Sequence, residues 1–496
     1  MKTENKKNNN IPIPEGWKMR TLGGLPYNVN NKILSQADNI EGWKTKMLGE
    51  VITLNTGKLD SNRAENNGSF PFFTCAPNPL KINSYAFNCD AILLAGNNAN
   101  GIFHINRYNG KFNAYQRTYV ITTANQNIDI DFLYYSLQLY LNYLKDISQG
   151  SATKFLTVKI LKDIKIDIPI DIKEQKQIAK ILSSLDDKIE LLREQNKTLE
   201  AMAQAIYKRW FVDLEFPATE PKNSATIEDE QQPKADGVVF NTLQLKGYKS
   251  SGGKMVKSEL GEIPEGWEVG KIKDLIDILP GFAFSSADFS KEGQYKLVTI
   301  KNVQDRYFNP KTKDNLKKLP KKMPDYCILE SGDILISLTG NVGRICLANG
   351  KDYLLNQRVA KLRPKNENDH AFTYLLFLQD SIFSLIQNTA SGTAQQNLSP
   401  IQLKEINIII ADRKILDKFG IVANKLIKKI KNNISQIQTL SALRDSLLPK
   451  LMSGKIRVPV KNEAETTPAS YGCHPSLKGG ELEESGLISE KDEGNK

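Results

Sequence analysis

Histidine is scarce and cysteine is scattered in this chain of 496 residues, and both shortages close off chemistry. Three His in all give no cluster from which a metal site could be built. The five cysteines, Cys75, Cys89, Cys327, Cys346 and Cys473, stand far apart with no CxxC pair, so they read as small buried hydrophobes. No apolar run approaches the ~18 residues of a membrane span, and the start from Met1 to Asn10 is rich in Lys and Asn without an apolar centre. A soluble, cytoplasmic protein is expected. GxxxxGK[ST] is missing, as is a glycine-rich loop after a strand that could hold S-adenosylmethionine. Asn78-Pro79-Leu80 comes nearest to the Asn-Pro-Pro-aromatic motif that amino-methyltransferases place around a flipped adenine, and it lacks the second Pro and the aromatic. The chain is therefore expected to hold no metal and no cofactor, and to catalyse nothing by itself.

What the chain does have is a long internal repeat. Ile13-Pro14-Glu15-Gly16-Trp17 returns as Ile263-Pro264-Glu265-Gly266-Trp267, and Glu41-Gly42-Trp43 is a further copy of its end. The run from Asp90 to Asn97 reappears from Asp333 to Asn341. Lys111, Gln116 and Arg117 match Lys351, Gln357 and Arg358, and the stretch from Gly150 to Ile164 matches that from Gly392 to Ile406. A period of about 241 residues lies far beyond that of a solenoid, so each copy is a whole domain plus a helix. Within each copy, short apolar stretches alternate with Gly, Pro and Asn turns before a helical segment, which is the pattern of an α+β domain. The formal charge of +11 favours a polyanionic partner.

After each domain the apolar spacing changes to a 4-3 rhythm. It runs through Ile178, Leu182, Leu185, Ile189, Leu192, Asn196, Leu199, Ala203, Ile206 and Trp210, and again from Phe419 to Leu451, where Pro449 and Gly454 are expected to end it. Each seam contains one asparagine, yet Asn433 corresponds to Leu192 and not to Asn196. In a parallel pair each amide would sit in an apolar layer and lose hydrogen bonds. An antiparallel pair places Asn196 against Asn433 and Leu192 against Ile437, so an intramolecular antiparallel coiled coil with a central Asn–Asn layer is predicted. Direct repeats at opposite ends of such a rod would face a duplex in inverted orientation.

Further residues point the same way. They are Ser69-Phe70-Pro71-Phe72-Phe73 and Gly96-Asn97-Asn98 in the first copy, Gly340-Asn341-Val342-Gly343 in the second, and the helix opening from Glu174 to Ala179 after Ile168-Pro169-Ile170. The helix ends, Tyr207 to Phe211 and Leu447 to Gly454, complete the set. Over about residues 41 to 458 the chain resembles the specificity (S) subunit of Type I restriction-modification enzymes. The resemblance implies a non-catalytic protein with two target recognition domains in pseudo-two-fold arrangement on two helical spacers, reading a split, asymmetric site on double-stranded DNA. It also implies partners: methyltransferase (M) subunits, two in the usual assembly, which use S-adenosylmethionine on adenine, and motor-nuclease (R) subunits driven by ATP and Mg. Two other readings stand beside it, the recognition part of a self-sufficient methyltransferase-nuclease and a structural coiled-coil protein. Two departures are visible: Asp412-Arg413-Lys414-Ile415 replaces the Glu-Gln-Lys-Gln opening, which would alter a partner contact, and the extra IPEGW suggests a rearrangement.

The resulting division is a polar leader 1–40, a first recognition domain 41–170, a central long helix 171–216, a flexible linker 217–260, a second recognition domain 261–410, a distal long helix 411–456 and a disordered tail 457–496. Donor-rich residues beside the repeated turns are the candidates for DNA contact, because Arg pairs with guanine and Asn or Gln with adenine. In the first domain they are Asn97, Asn98, Lys111, Gln116, Arg117, Ser151, Thr153 and Lys154. In the second they are Asn341, Arg344, Lys351, Gln357, Arg358, Thr393, Gln395, Gln396 and Asn397. Tyr207, Trp210 and Phe211, large for a solvated helix end, are candidates for contact with a partner subunit, with burial against their own domain the competing outcome.

Overall fold

The computed structural model describes residues 20–21, 40–98, 102–148, 154–217, 246–390 and 396–459. The first domain opens with β1 (Trp43–Met47), followed by β2 (Ile52–Thr56), β3 (Phe87–Ala95), β4 (Ile105–Ala114), β5 (Thr118–Thr123), helix α1 (Ile130–Ile147) and β6 (Lys165–Pro169), which pairs back antiparallel to β1. The central helix α2 (Ile172–Tyr207) continues through a wider π turn, Lys208–Val212. The second domain repeats the plan with β7 (Glu268–Lys271), β8 (Ile276–Pro280), β9 (Ile334–Ser337), β10 (Ile345–Leu347), β11 (Val359–Pro364), α3 (His370–Phe377) and β12 (Asn407–Ile410), which pairs with β7. The distal helix α4 (Arg413–Met452) ends the described fold.

The repeat extends to strand order. The first sheet contains β2-β5-β3-β4 and the second is β8-β11-β9-β10, so corresponding strands occupy corresponding places. Register agrees as well: Ile92 faces Ile121 in one and Ile334 faces Leu362 in the other. The apolar runs in β3 and β9 are unbroken because both faces of each strand are covered. Ile92 and Leu94 enter the core shared with α1, while Ala91 and Leu93 enter a second core beneath the sheet. In the second domain Ile334 and Ile336 face the helices and Leu335 faces the opposite core.

The two long helices pack side by side and run antiparallel. Asp186 pairs with Arg444 at 2.9 Å, Gln195 meets Asn433 at 3.5 Å, and the Trp210 and Phe419 rings lie 5.6 Å apart. Numbers rise along one helix as they fall along the other. At 1.5 Å per residue α2 is roughly 54 Å long. The first domain docks where α2 begins and α4 ends, with Leu448, Leu451 and Met452 in the same core as Ile178 and Leu182. The second docks where α2 ends and α4 begins, with Tyr207, Phe372 and Phe419 in one cluster.

Several expectations need correction. The central layer is not closed by an Asn–Asn hydrogen bond, because among the described residues the buried amide oxygens of Asn196 and Asn433 both lack a donor. The Asn433 amide instead donates to Gln195 Oε1 at 3.5 Å, since the longer Gln side chain reaches across from the flank of the seam. Leu192 is buried and Ile437 partly so. Arg444, which falls on the 4-3 rhythm of the second seam, is charge-paired with Asp186. Pro449 does not end α4; it removes one N–H bond within the last turns, and the helix stops at Met452 before Gly454 at φ +66°. Residues 217–260 are not one flexible linker, because Tyr248 stacks on Phe216 at 4.6 Å and Met255–Ser258 pairs with Gly261–Pro264. Arg457, assigned to the tail, donates to Glu174 at 2.8 Å and to the Glu41 carbonyl at 2.8 Å. Arg20–Thr21 of the leader pairs with β4, and Cys473 lies outside the described residues.

Tyr207 and Trp210 are 4% and 2% exposed, and Phe211 packs against Trp267, Phe372 and Phe419. Tyr207 and Trp210 are thus buried where the second domain meets the helices, while Phe211 is only partly buried there. The altered helix opening has an internal explanation too. Asp171 and Asp412 cap their helices identically, accepting from Lys173 N and Lys414 N at 2.8 Å. In the first copy Gln175 then ties helix to domain through Asp129 N, Asn127 O and Pro169 O. In the second, Arg413 reaches Asp369 at 2.7 Å and Asn424 accepts from Ala371 N. One lock has replaced another.

Candidate nucleic-acid interface

In each domain a Gln-Arg pair occupies the tight turn that leads into β5 or β11. Thr118 N donates to Tyr115 O at 2.8 Å, and Val359 N to Asn356 O at 2.9 Å, closing the two turns in the same way. From behind, Gln116 N donates to Leu59 O at 2.9 Å and Gln357 N to Phe282 O at 3.1 Å. Gly96 N donates to Arg117 O at 2.7 Å and Leu156 N to Gly96 O at 2.9 Å; Leu338 N to Arg358 O at 3.0 Å and Leu398 N to Leu338 O at 2.8 Å reproduce this triangle. With the backbone satisfied from within, all four Gln and Arg side chains are exposed to solvent.

This triangle corrects the landmark alignment, because it makes Gly96 equivalent to Leu338 and not to Gly340. Asn97 then corresponds to Thr339. Asn97 Oδ1 accepts from the Cys75 thiol at 2.8 Å, whereas Thr339 Oγ1 donates to Asn397 Oδ1 at 3.0 Å. Burial pushes the Cys75 thiol above its ordinary value, more than Asn97 and its other partners lower it, which keeps it a donor.

Gly57 and Gly281 lie directly under the two turns. A Cβ on either would overlap a carbonyl, that of Ala114 or of Asn356. Gly57→Ala and Gly281→Ala are each expected to cost about 1–3 kcal/mol and to displace the Gln-Arg turn. Thermal unfolding together with duplex binding checks this; wild-type values in both would refute it.

The other candidates divide. Asn97–Asn98 pairs antiparallel with Lys154–Phe155, and the Arg117 guanidinium lies 5.3 Å from the Phe155 ring centroid, so Asn97, Arg117 and Lys154 form one patch, with the Asn98 backbone on the paired strand. Phe155 was missed from sequence, though it follows Lys154 directly. Gln116 Nε2 donates to Asp60 Oδ1 at 2.7 Å, which fixes its amide. In the second domain Gly340 N donates to Gln396 O at 3.0 Å, so Gln396 and Asn397 join Arg358 and Gln357. Asn341 is exposed, and Arg344 Nη1 donates to Gln304 Oε1 at 3.3 Å. Lys111 stands apart, in a strand roughly 17 Å of extended chain before its turn, and Lys351 is separated from its turn by a bend at Asp352, φ +63°. Lys111 instead lies over the Tyr85 ring at 4.8 Å. Ser151, Thr153, Thr393 and Gln395 lie outside the described residues. Among the described residues no group of His, Cys, Asp and Glu could hold a metal, and no helix is long and apolar enough to cross a membrane.

The chain is similar to proteins of one known family. Residues 40–201 and 264–436 match the model of the Type I restriction modification DNA specificity domain. The chain is 35% identical over 236 residues to the Type I restriction enzyme EcoDI specificity subunit of Escherichia coli, covering 48% of this chain and 49% of that protein. It thus spans about half the length of that relative. It is 28% identical over 450 residues to the MjaVIII specificity subunit of Methanocaldococcus jannaschii, covering 84% and 94%, and 26% identical over 352 residues to the HindI specificity subunit of Haemophilus influenzae, covering 63% and 74%. A crystal structure of the S subunit of a Type I system from M. genitalium superposes with a TM-score of 0.54 at 16% identity, covering 84% of this chain and 98% of that one, a likeness of fold. With two separate matches that follow the two structural repeats, the chain belongs to the family of the Type I restriction modification DNA specificity domain.

Proposed function

We propose that this chain is the non-catalytic specificity subunit of a Type I restriction-modification system, reading a bipartite, asymmetric DNA site for its partners. The observation that carries the reading is the Gln-Arg turn presented twice, in matching backbone settings, by domains at opposite ends of an antiparallel helix pair. The first domain grips α2 at Asp186, through Tyr135, and the second at Tyr207. Those positions lie roughly 32 Å apart along the helix, close to the ~34–36 Å of one duplex turn, so both domains would address one face of the DNA. The side chains around the two turns differ, which suits unlike half-sites. Methyltransferase subunits, two in the assembly, would dock on the exposed flanks of the helices and supply S-adenosylmethionine chemistry at adenine. Motor-nuclease subunits would supply ATP- and Mg-dependent restriction, leaving this chain without a cofactor.

Mapping methylated adenines in the host genome tests the reading: two short sequence blocks at a fixed spacing are expected. Arg117→Ala and Arg358→Ala should each weaken binding by about 1–3 kcal/mol and relax preference in one block only. Binding and methylation unchanged in both variants would remove the Gln-Arg turns from the interface.

A further inference from the structure

Between Lys311 and Lys322 the second domain carries six lysines and a single carboxylate, Asp314. The stretch has no basic counterpart in the first domain, where residues 57–86 carry Lys58, Arg63 and Lys81 against Asp60 and Glu65. All six lysines are exposed, and none is in an ion pair with a described carboxylate.

The segment that displays them is firmly held. Buried Asn302, 1% exposed, donates through Nδ2 to Asn309 O and Lys311 O at 2.9 Å each, and Tyr353 Oη donates to Pro310 O at 2.9 Å. Leu297 N donates to Asp314 O at 3.0 Å. The short strand Asn315–Leu316 pairs with both Phe289–Ser290 and Tyr295–Val298, with Leu316 1% exposed. Met323 then packs against the core. Ordering chain costs entropy, and like charges held within a Debye length of ~8–10 Å repel. A fixed segment that gathers unpaired lysines is therefore suited to a polyanion that neutralises them.

Register places this track beside the base-reading turn. Tyr295–Val298 runs parallel to Tyr353–Leu355, the strand that leads to Gln357 and Arg358, and antiparallel to Asn315–Leu316. Lys311 and Lys313, which precede Asn315, consequently lie at the end of the sheet from which Gln357 and Arg358 emerge. Lys317 and Lys318 follow at the other end, roughly 13 Å along the strands, and Lys321 and Lys322 lie on the segment that returns to Ile328–Leu329, which pairs antiparallel with Tyr353–Leu355. At ~3.4 Å per phosphate along one strand, that distance spans about four phosphates of a duplex. Lysine is a compact point charge that grips phosphate without fixing a base.

We infer that the segment from Lys311 to Lys322 is a phosphate-backbone track, which makes the second domain the electrostatic anchor on duplex DNA while its Gln-Arg turn reads sequence. The inference rests on the DNA-reading role proposed above. Its test uses the full chain assembled with its methyltransferase partner and a labelled duplex bearing the mapped site, titrated between about 50 and 300 mM salt. The variant Lys317→Gln/Lys318→Gln/Lys321→Gln/Lys322→Gln changes exposed side chains and should fold normally. It is expected to bind about 10–100-fold more weakly near 150 mM salt, with the slope of log K against log[salt] reduced by about 2–4. The methylated sequence should be unchanged, and the fourfold Lys→Arg variant should restore the slope. Affinity and slope within twofold of wild type would overturn the track while leaving the Gln-Arg reading intact. So would loss of the methyltransferase subunit from the quadruple Gln variant with an unchanged slope, which would point to an acidic protein surface. A wild-type complex that binds no duplex would overturn both proposals.

Discussion

Arg444→Met is expected to destabilise the protein by about 3–5 kcal/mol, the cost of leaving a buried charge without its partner. Arg444 Nη1 donates to Asp186 Oδ1 at 2.9 Å, with the two side chains 6% and 4% exposed. Burial opposes the charge on Arg444, and Asp186 with Asp445 outweighs it, holding the guanidinium above its ordinary value. Tyr135 Oη donates to the other Asp186 oxygen at 2.7 Å, so the pair joins both long helices to α1 of the first domain. Removing Arg444 strands the carboxylate in a place water does not reach. Asp186→Leu/Arg444→Met should recover most of the loss, because an apolar pair of similar volume is often neutral. Chemical denaturation of both variants measures this. A single variant within about 1 kcal/mol of wild type would mean that the charge is solvated and the helix packing is looser than described.

Trp210→Ala is expected to cost about 3–5 kcal/mol through the cavity it leaves. Trp210 is 2% exposed and packs against Phe419, with ring centroids 5.6 Å apart, where the second domain closes over the helix pair. The discriminating measurement is partner binding by the folded fraction. If Trp210 is internal, folded Trp210→Ala protein keeps its methyltransferase subunit. Unchanged stability with loss of that subunit would return the residue to the partner surface.

The architecture was legible because periodicity survives folding. A 4-3 rhythm dictates a seam wherever it occurs, and the offset of Asn196 from Asn433 carried the direction of pairing. The hydrogen bond at that layer was not legible, since Gln195 stands outside the seam and only the interhelical spacing brings it to Asn433. Arg117 and Arg358 could be picked out because each sits after a Gln in a turn that local sequence repeats. The equivalence of Gly96 with Leu338 could not, because side-chain identity misled where backbone bonding decides. The lysine track escaped for a different reason: attention to repeated residues passes over what one copy alone possesses, although six lysines in twelve residues were visible from the start.

The first domain shares its core with the last turns of α4, and that has a consequence for how the molecule comes into being. Leu448, Leu451 and Met452 belong beside Ile178 and Leu182, yet the ribosome makes them roughly 270 residues later. At ~5–20 residues per second the nascent first domain waits about 14–54 s with an apolar surface uncovered. The half that is translated first is thus completed last, and a chaperone that shields this surface during synthesis should raise the yield of folded protein.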